Sequence, residues 1–192
     1  NLNVMQAAAE VGVPRVVFAS SIQVIASDDH DEYDDGESPM VAYLPLDRHS
    51  PVRITNLYAL SKLGGEQMLD YFTEHFDISG VSLRLPWLTD RERIERRQDR
   101  TEIRRRKTYL EEAFAFLAWE DAAALFVAAV EADVAGHEVY LASAMSNAAG
   151  RTPRELIEQF YDGIPLRKPI DEIDRLVDTT DLQRDLGWAP SM

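Results

Sequence analysis

The 192-residue chain has no cysteine, so disulfides and thiolate metal sites are both excluded. It has no apolar run of the roughly 18 residues that a membrane-spanning helix needs, and nothing at its start resembles a signal peptide. A soluble, cytoplasmic protein is the expectation. Positive charge is scarce: 20 Lys and Arg stand against 34 Asp and Glu, a net charge of −14. A nucleic-acid binder needs a basic footprint, so that class is set aside. Acidity of this degree also suits a salt-adapted host. The nine glycines contain neither G-x-G-x-x-G nor G-x-x-G-x-x-G, so no dinucleotide phosphate loop is present.

What is present is an ordinary globular composition, 45% hydrophobic, long enough for one domain with a real core. The opening "NLNVMQAAAEVGVP" reads as a helix over Asn1 to Val11, with Leu2, Met5 and Ala9 at helical spacing and Gly12 at its end. "RVVFASS", Arg15 to Ser21, is apolar, β-branched and bounded by Pro14, and reads as a fully buried parallel strand. Leu57 to Phe76 reads as a long helix with an apolar stripe of Leu57, Leu60, Leu63, Met68, Leu69, Phe72 and Phe76. Gly64 and Gly65 inside it cost helix propensity and predict close packing against another element. A strand follows at Val81 to Leu85, stopped by Pro86. Then come a helix at Ala118 to Glu131, a strand at His137 to Ser143, and a helix from Thr152 with Pro153 at its first position and Glu155 three residues on. A short last helix ends at Gly187. Helix and strand alternate, which predicts an α/β fold with a parallel sheet.

Two charged segments invite sharper readings. Asp28 to Pro39 is dense in acids and reads as a surface loop. As a calcium loop from Asp31 it fails, because position twelve is Ala42 where a bidentate Glu is required. No metal is expected. Arg91 to Lys107 holds nine of the twenty basic residues, mixed with Glu92, Glu95, Asp99 and Glu102. It reads as a solvated helix, with an anion site as the alternative.

In "NLYALSKLGGEQ", Tyr58 and Lys62 lie one helical turn apart on one face. Alone the pair is a weak signal, since a lysine stem beside an exposed tyrosine is common. Ser20 and Ser21, at the C-terminal end of a parallel strand, strengthen it, because ligands bind at that end of open α/β sheets. A free tyrosine titrates near ~10, too high for a good base at neutral pH, and a neighbouring ammonium favours the phenolate. A serine hydroxyl can then hold the substrate oxygen.

These motifs in this order resemble the extended short-chain dehydrogenases/reductases, the NAD-dependent epimerase/dehydratase family, which acts mostly on sugars and nucleotide sugars. The resemblance runs through "NVMQAAAEVGVPRVVFASS", "NLYALSKLGGEQML", "VSLRLP", "FLAWEDAAALFVAAVE" and the closing "DLQRDLGWAP". It implies a Rossmann-like doubly wound parallel sheet, incomplete at its N-terminal side, with a small C-terminal substrate-binding region. The division expected is residues 1–144, with a substrate-side insertion near 88–115, and residues 145–192.

The resemblance implies Ser21, Tyr58 and Lys62 as catalytic, with Tyr58 the general acid/base and Lys62 on the nicotinamide ribose. Ser20, Leu85 and Pro86 would border the cofactor, NAD or NADP, with Arg84 near the nicotinamide. Ser21, Gln23, Arg104 and Arg105 would meet the substrate, and Asp121 would fix a loop. A homodimer through helices 1–11 and 57–76 is also implied. The departures matter. Ile25 and Ala26 replace the family's Tyr–Gly, and Ile22 and Gln23 stand where sugar dehydratases carry an Asp–Glu pair, so water elimination is not expected. With no phosphate loop, the chain is expected to be a piece of a longer protein and to bind NAD poorly alone. The alternatives are a uronate or simple-sugar dehydrogenase whose substrate carries no nucleotide, and a non-catalytic truncated relative.

Overall fold

The computed structural model describes residues 1–26, 41–98 and 110–192. The Asp28 to Pro39 loop, the calcium-loop reading, and Arg104 and Arg105 lie outside them. The described elements are α1 (Leu2–Glu10), β1 (Arg15–Ser21), a 3₁₀ turn (Ile22–Val24), α2 (Leu57–His75), β2 (Ser79–Leu85), β3 (Trp87–Thr89) and α3 (Arg91–Gln98). They continue with β4 (Phe116–Ala118), α4 (Trp119–Glu131), β5 (His137–Leu141), α5 (Pro153–Phe160), a second 3₁₀ turn (Ile170–Glu172) and α6 (Thr180–Leu186).

Three strands form a parallel sheet in the order β1-β2-β5, with Phe18 opposite Ser82 and Ser20 opposite Arg84. Successive side chains of a strand point to opposite faces, and β1 shows it. Val16 and Phe18 pack with Met5, Leu69 and Phe72 under α1 and α2. Val17 and Ala19 pack on the other face with Val81, Leu83, Leu125 and Leu182, beneath α4 and α6. Helices thus cover both faces, as a doubly wound sheet requires.

The expectation of a fully buried β1 needs correction. Only Ser20 and Ser21 are buried, and Arg15 to Ala19 are half-buried. Among the described residues β1 is an edge, hydrogen-bonded to β2 alone. The stripe assigned to α2 is also corrected: Leu57 is 82% exposed and Leu60, Met68 and Phe76 face outward, while Ala59, Gly65, Glu66, Leu69 and Phe72 face the sheet. Of the two glycines, only Gly65 is a close approach. A Cβ there would lie 2.2 Å from the Phe18 ring, whereas Gly64 has open space around it.

Pro86 ends β2, but the chain stays extended as β3, which pairs with β4 in a separate two-stranded parallel ribbon. Three-residue strands are too short to show periodicity, so these were not legible in advance. The Thr152 capping box is formed, with Glu155 returning its carboxylate to the Thr152 backbone N–H, and α6 ends on Gly187 at φ +64°. A second core joins the 3₁₀ turn after β1, Leu44 and Leu46 to Phe114, Phe160, Tyr161 and Val177. It anchors the C-terminal part of the chain against the end of the sheet where β1 finishes.

Candidate active site

Asn56 begins the site. Its side chain accepts from the Ala59 N–H at 2.8 Å and so starts α2 one residue before Leu57. Tyr58 and Lys62 follow on the first turn and a half. Lys62 Nζ lies 5.4 Å from the Tyr58 ring centroid and 5.5 Å from that of Phe18, and donates to the Ala19 carbonyl at 2.8 Å. The lysine is therefore pinned to the end of β1 with its charge beside the tyrosine ring. Tyr58 is half-exposed and open to a ligand.

The two serines have different tasks. Ser20 points under α2, where its hydroxyl donates to Glu66 at 2.5 Å. Arg84, opposite Ser20 in the sheet, closes on the same carboxylate in a bidentate pair, at 2.9 and 2.8 Å. Ser20, Glu66 and Arg84 are all buried. Burying two charges is tolerable because the fork satisfies both partners. Ser21 instead accepts from the Gln23 backbone N–H at 3.2 Å and starts the 3₁₀ turn. A hydroxyl that accepts there still has its hydrogen to donate.

A cavity of about 560 Å³ opens at the C-terminal ends of β1 and β2. Of the residues expected at a site, it brings together Ser20, Ser21, Gln23, Tyr58, Lys62, Leu85 and Pro86. Arg84 does not line it. Its guanidinium is held by Glu66 beneath α2, because residues alternate across the strand and Arg84 faces the helix. Asp121 is also outside, accepting from the Ser191 N–H at 3.1 Å, in keeping with a loop-fixing role.

Five lining residues were missed in the sequence: Ala19, Trp87, Leu88, Arg93 and Glu112. Arg93 and Arg97 stack over Trp87, with guanidinium carbons 5.3 and 5.5 Å from the ring centroid. The arginine-rich segment gave a hint of Arg93, but nothing in "LEEAFAF" marks Glu112. It comes from a turn in which Ala113 and Phe114 have φ of 51° and 55°, left-handed values that non-glycine residues seldom adopt. Tyr161 helps to hold that turn. Tyr161 donates to the Leu110 carbonyl at 2.6 Å, and its ring meets Phe114 edge-on at 6.5 Å. Burial raises the Tyr161 pKa far above the usual phenol range, so this donor keeps its proton.

A second cavity, of about 500 Å³, is lined by charged residues including Arg48, Glu138, Asp181 and Asp185. There Arg48 pairs with Glu138 and lies over the Tyr140 ring, and the Tyr140 hydroxyl donates to Asp185 at 3.3 Å. Desolvation and the nearby carboxylates push the Tyr140 hydroxyl up to about 12. This network ties α6 to β5.

The chain resembles known proteins along its length. An uronate dehydrogenase of Pseudomonas syringae pv. tomato is 36% identical over 83 residues, covering 43% of this chain and 26% of the relative. An NAD-dependent glucose-6-phosphate dehydrogenase of Haloferax volcanii is 31% identical over 139 residues, 70% of this chain and 47% of the relative. The solved structure of a UDP-glucose 4-epimerase from Thermotoga maritima superposes with a TM-score of 0.62 at 16% identity, covering all of this chain and 63% of that one. The chain spans about half or less of the length of these curated relatives. The family model for the NAD dependent epimerase/dehydratase family matches residues 1–143, and the chain belongs to that family.

Proposed function

We propose that this chain carries the proton-transfer and substrate-binding part of an NAD(P)-dependent oxidoreductase or epimerase acting on a sugar or nucleotide sugar. The observation that carries the reading is the convergence of Tyr58, Lys62 and Ser21 on one cavity at the strand ends, beside Leu85 and Pro86.

The residues present fit the nicotinamide-ribose end of such a cofactor. Leu85 and Pro86 offer an apolar wall, and Lys62 offers an ammonium beside Tyr58. No glycine-rich cradle for the pyrophosphate occurs among the 192 residues. The cofactor, when bound, supplies the hydride acceptor or donor that no side chain provides. The protein's part is the proton. Ser21 donates its hydroxyl hydrogen to the reacting substrate oxygen, and Tyr58 takes or returns the proton on that oxygen. The Lys62 charge stabilises the negative charge that develops on the Tyr58 oxygen.

Within this reading, dehydrogenation of a uronate or simple sugar without a nucleotide is the second possibility. Two relatives favour it, one named a uronate dehydrogenase and the other a glucose-6-phosphate dehydrogenase. Accumulation of NAD(P)H with a free sugar or sugar acid supports it, whereas interconversion of nucleotide sugars without net redox change supports epimerisation. Tyr58→Phe in the full-length protein tests the common core. Turnover is expected to fall by about 10²–10⁴-fold, and near-normal turnover would overturn the assignment.

We further read the protein as a homodimer through α1 and α2. Large apolar residues are exposed on both helices: Leu2 and Val4 on α1, with Val11 just after it, and Leu57, Leu60, Met68 and Tyr71 on α2. Gly64, with open space around it, leaves room for a second helix to approach.

A further inference from the structure

Gln23 is a hub of the site. Its backbone N–H binds Ser21 Oγ at 3.2 Å. Its side-chain Nε2 donates to Glu112 Oε1 at 3.2 Å, and its Oε1 accepts from Asn56 Nδ2 at 3.4 Å. Asn56 in turn caps the helix that carries Tyr58 and Lys62. The serine turn, the start of α2 and the Glu112 turn therefore meet on one residue, the first through its backbone and the other two through its side-chain amide.

An amide can be turned over, exchanging its donor and acceptor ends, and nothing in its own shape prevents this. Here the neighbours decide. An ionised carboxylate only accepts, so Glu112 requires the NH₂ end of Gln23 to face it. The carbonyl end is then left for Asn56. One of the two Nε2 hydrogens is used on Glu112, and the other remains to donate to whatever occupies the cavity that Gln23 lines. Glu112 itself is buried and held by the left-handed turn at Ala113 and Phe114, which is packed against Phe160 and Tyr161. Its position is built into the fold.

We propose that Glu112 is a positioning residue that locks the Gln23 amide with its N–H toward the substrate, so that the site requires an acceptor oxygen at that point. This rests on the reading of the cavity as a sugar site. It is a role that the segment around Glu112 does not announce. A sugar hydroxyl, carbonyl or carboxylate oxygen meets the requirement, and a group that can only donate does not.

The lock is tested first without turnover. In ¹⁵N spectra of the full-length protein, the Gln23 side-chain amide signals, assigned through Gln23→Ala, are expected to move with the titration of a single carboxylate. Glu112→Gln, which keeps the volume, should abolish that movement with the fold intact. Signals that do not titrate, or that titrate equally in Glu112→Gln, overturn the lock. The kinetic arm uses D-glucuronate, D-glucose 6-phosphate and UDP-glucose with NAD⁺ or NADP⁺. Glu112→Gln and Gln23→Ala should each lower kcat/KM about tenfold or more, chiefly through KM, and the double variant should fall within about twofold of the worse single. Additive losses, or a Glu112→Gln enzyme within twofold of the parent, overturn the substrate-facing role. Normal turnover by Tyr58→Phe, or none of these substrates being used, sinks the functional reading alone, since the spectra still decide whether Glu112 holds Gln23.

Discussion

Under α2, the carboxylate of Glu66 holds three partners at once: the Ser20 hydroxyl and two nitrogens of Arg84. It joins one residue from each of α2, β1 and β2, directly beneath the cavity. This division of labour separates two adjacent serines that look equivalent in "ASS". Strand alternation turns Ser20 to the helix and leaves Ser21 on the cavity wall at the start of the 3₁₀ turn. Removing one partner of a buried ion pair strands the other charge. Glu66→Gln is therefore expected to lower stability by about 3–5 kcal/mol, read from urea denaturation. Replacing Glu66 and Arg84 together by leucines should cost less than either single replacement, and a strictly additive double variant would argue against this network.

At the scale of elements, α2 against β1 sets the distance between the Tyr58–Lys62 pair and the serine turn. Gly65 permits the contact, because a Cβ there would meet three atoms of the Phe18 ring at 2.2–2.9 Å. Gly65→Ala should destabilise by about 1–3 kcal/mol through overpacking. Gly64→Ala, with no neighbour within 4 Å, should instead gain up to about 1 kcal/mol of helix propensity in the single chain. The two thermal midpoints measure this directly, and equal shifts of the same sign would refute it. The tandem glycines were legible as a packing signal, but which of them touches the sheet was not. That depends on the phase of the helix, and the apolar pattern misled on phase because Leu57, Leu60 and Met68 face away from the sheet.

For the whole molecule, those outward residues are the clearest exposed apolar feature. Sedimentation equilibrium is expected to show a dimer that Val4→Glu with Tyr71→Glu disperses, while the circular dichroism spectrum is retained. A net charge of −14 on each chain opposes association, so the dimer should tighten as salt shortens the screening length. A parent protein that is monomeric at all salt concentrations would remove the dimer reading. No helix among the described residues is long and apolar enough to cross a membrane.

The sequence by itself determined the longer helices and strands, the helix start at Thr152 and the stop at Gly187, and it singled out Ser21, Tyr58 and Lys62 as candidates. Those signals are local: a cap, a period, a fixed spacing. Tertiary structure alone decided that Arg84 turns to Glu66 rather than to the cavity, that β3 and β4 pair across about 30 residues of chain, and that Glu112 arrives beside Gln23. Such contacts join residues far apart in the chain, 89 positions in the last case. Their geometry comes from how strands register and how Phe114 packs. No short window of sequence carries that information.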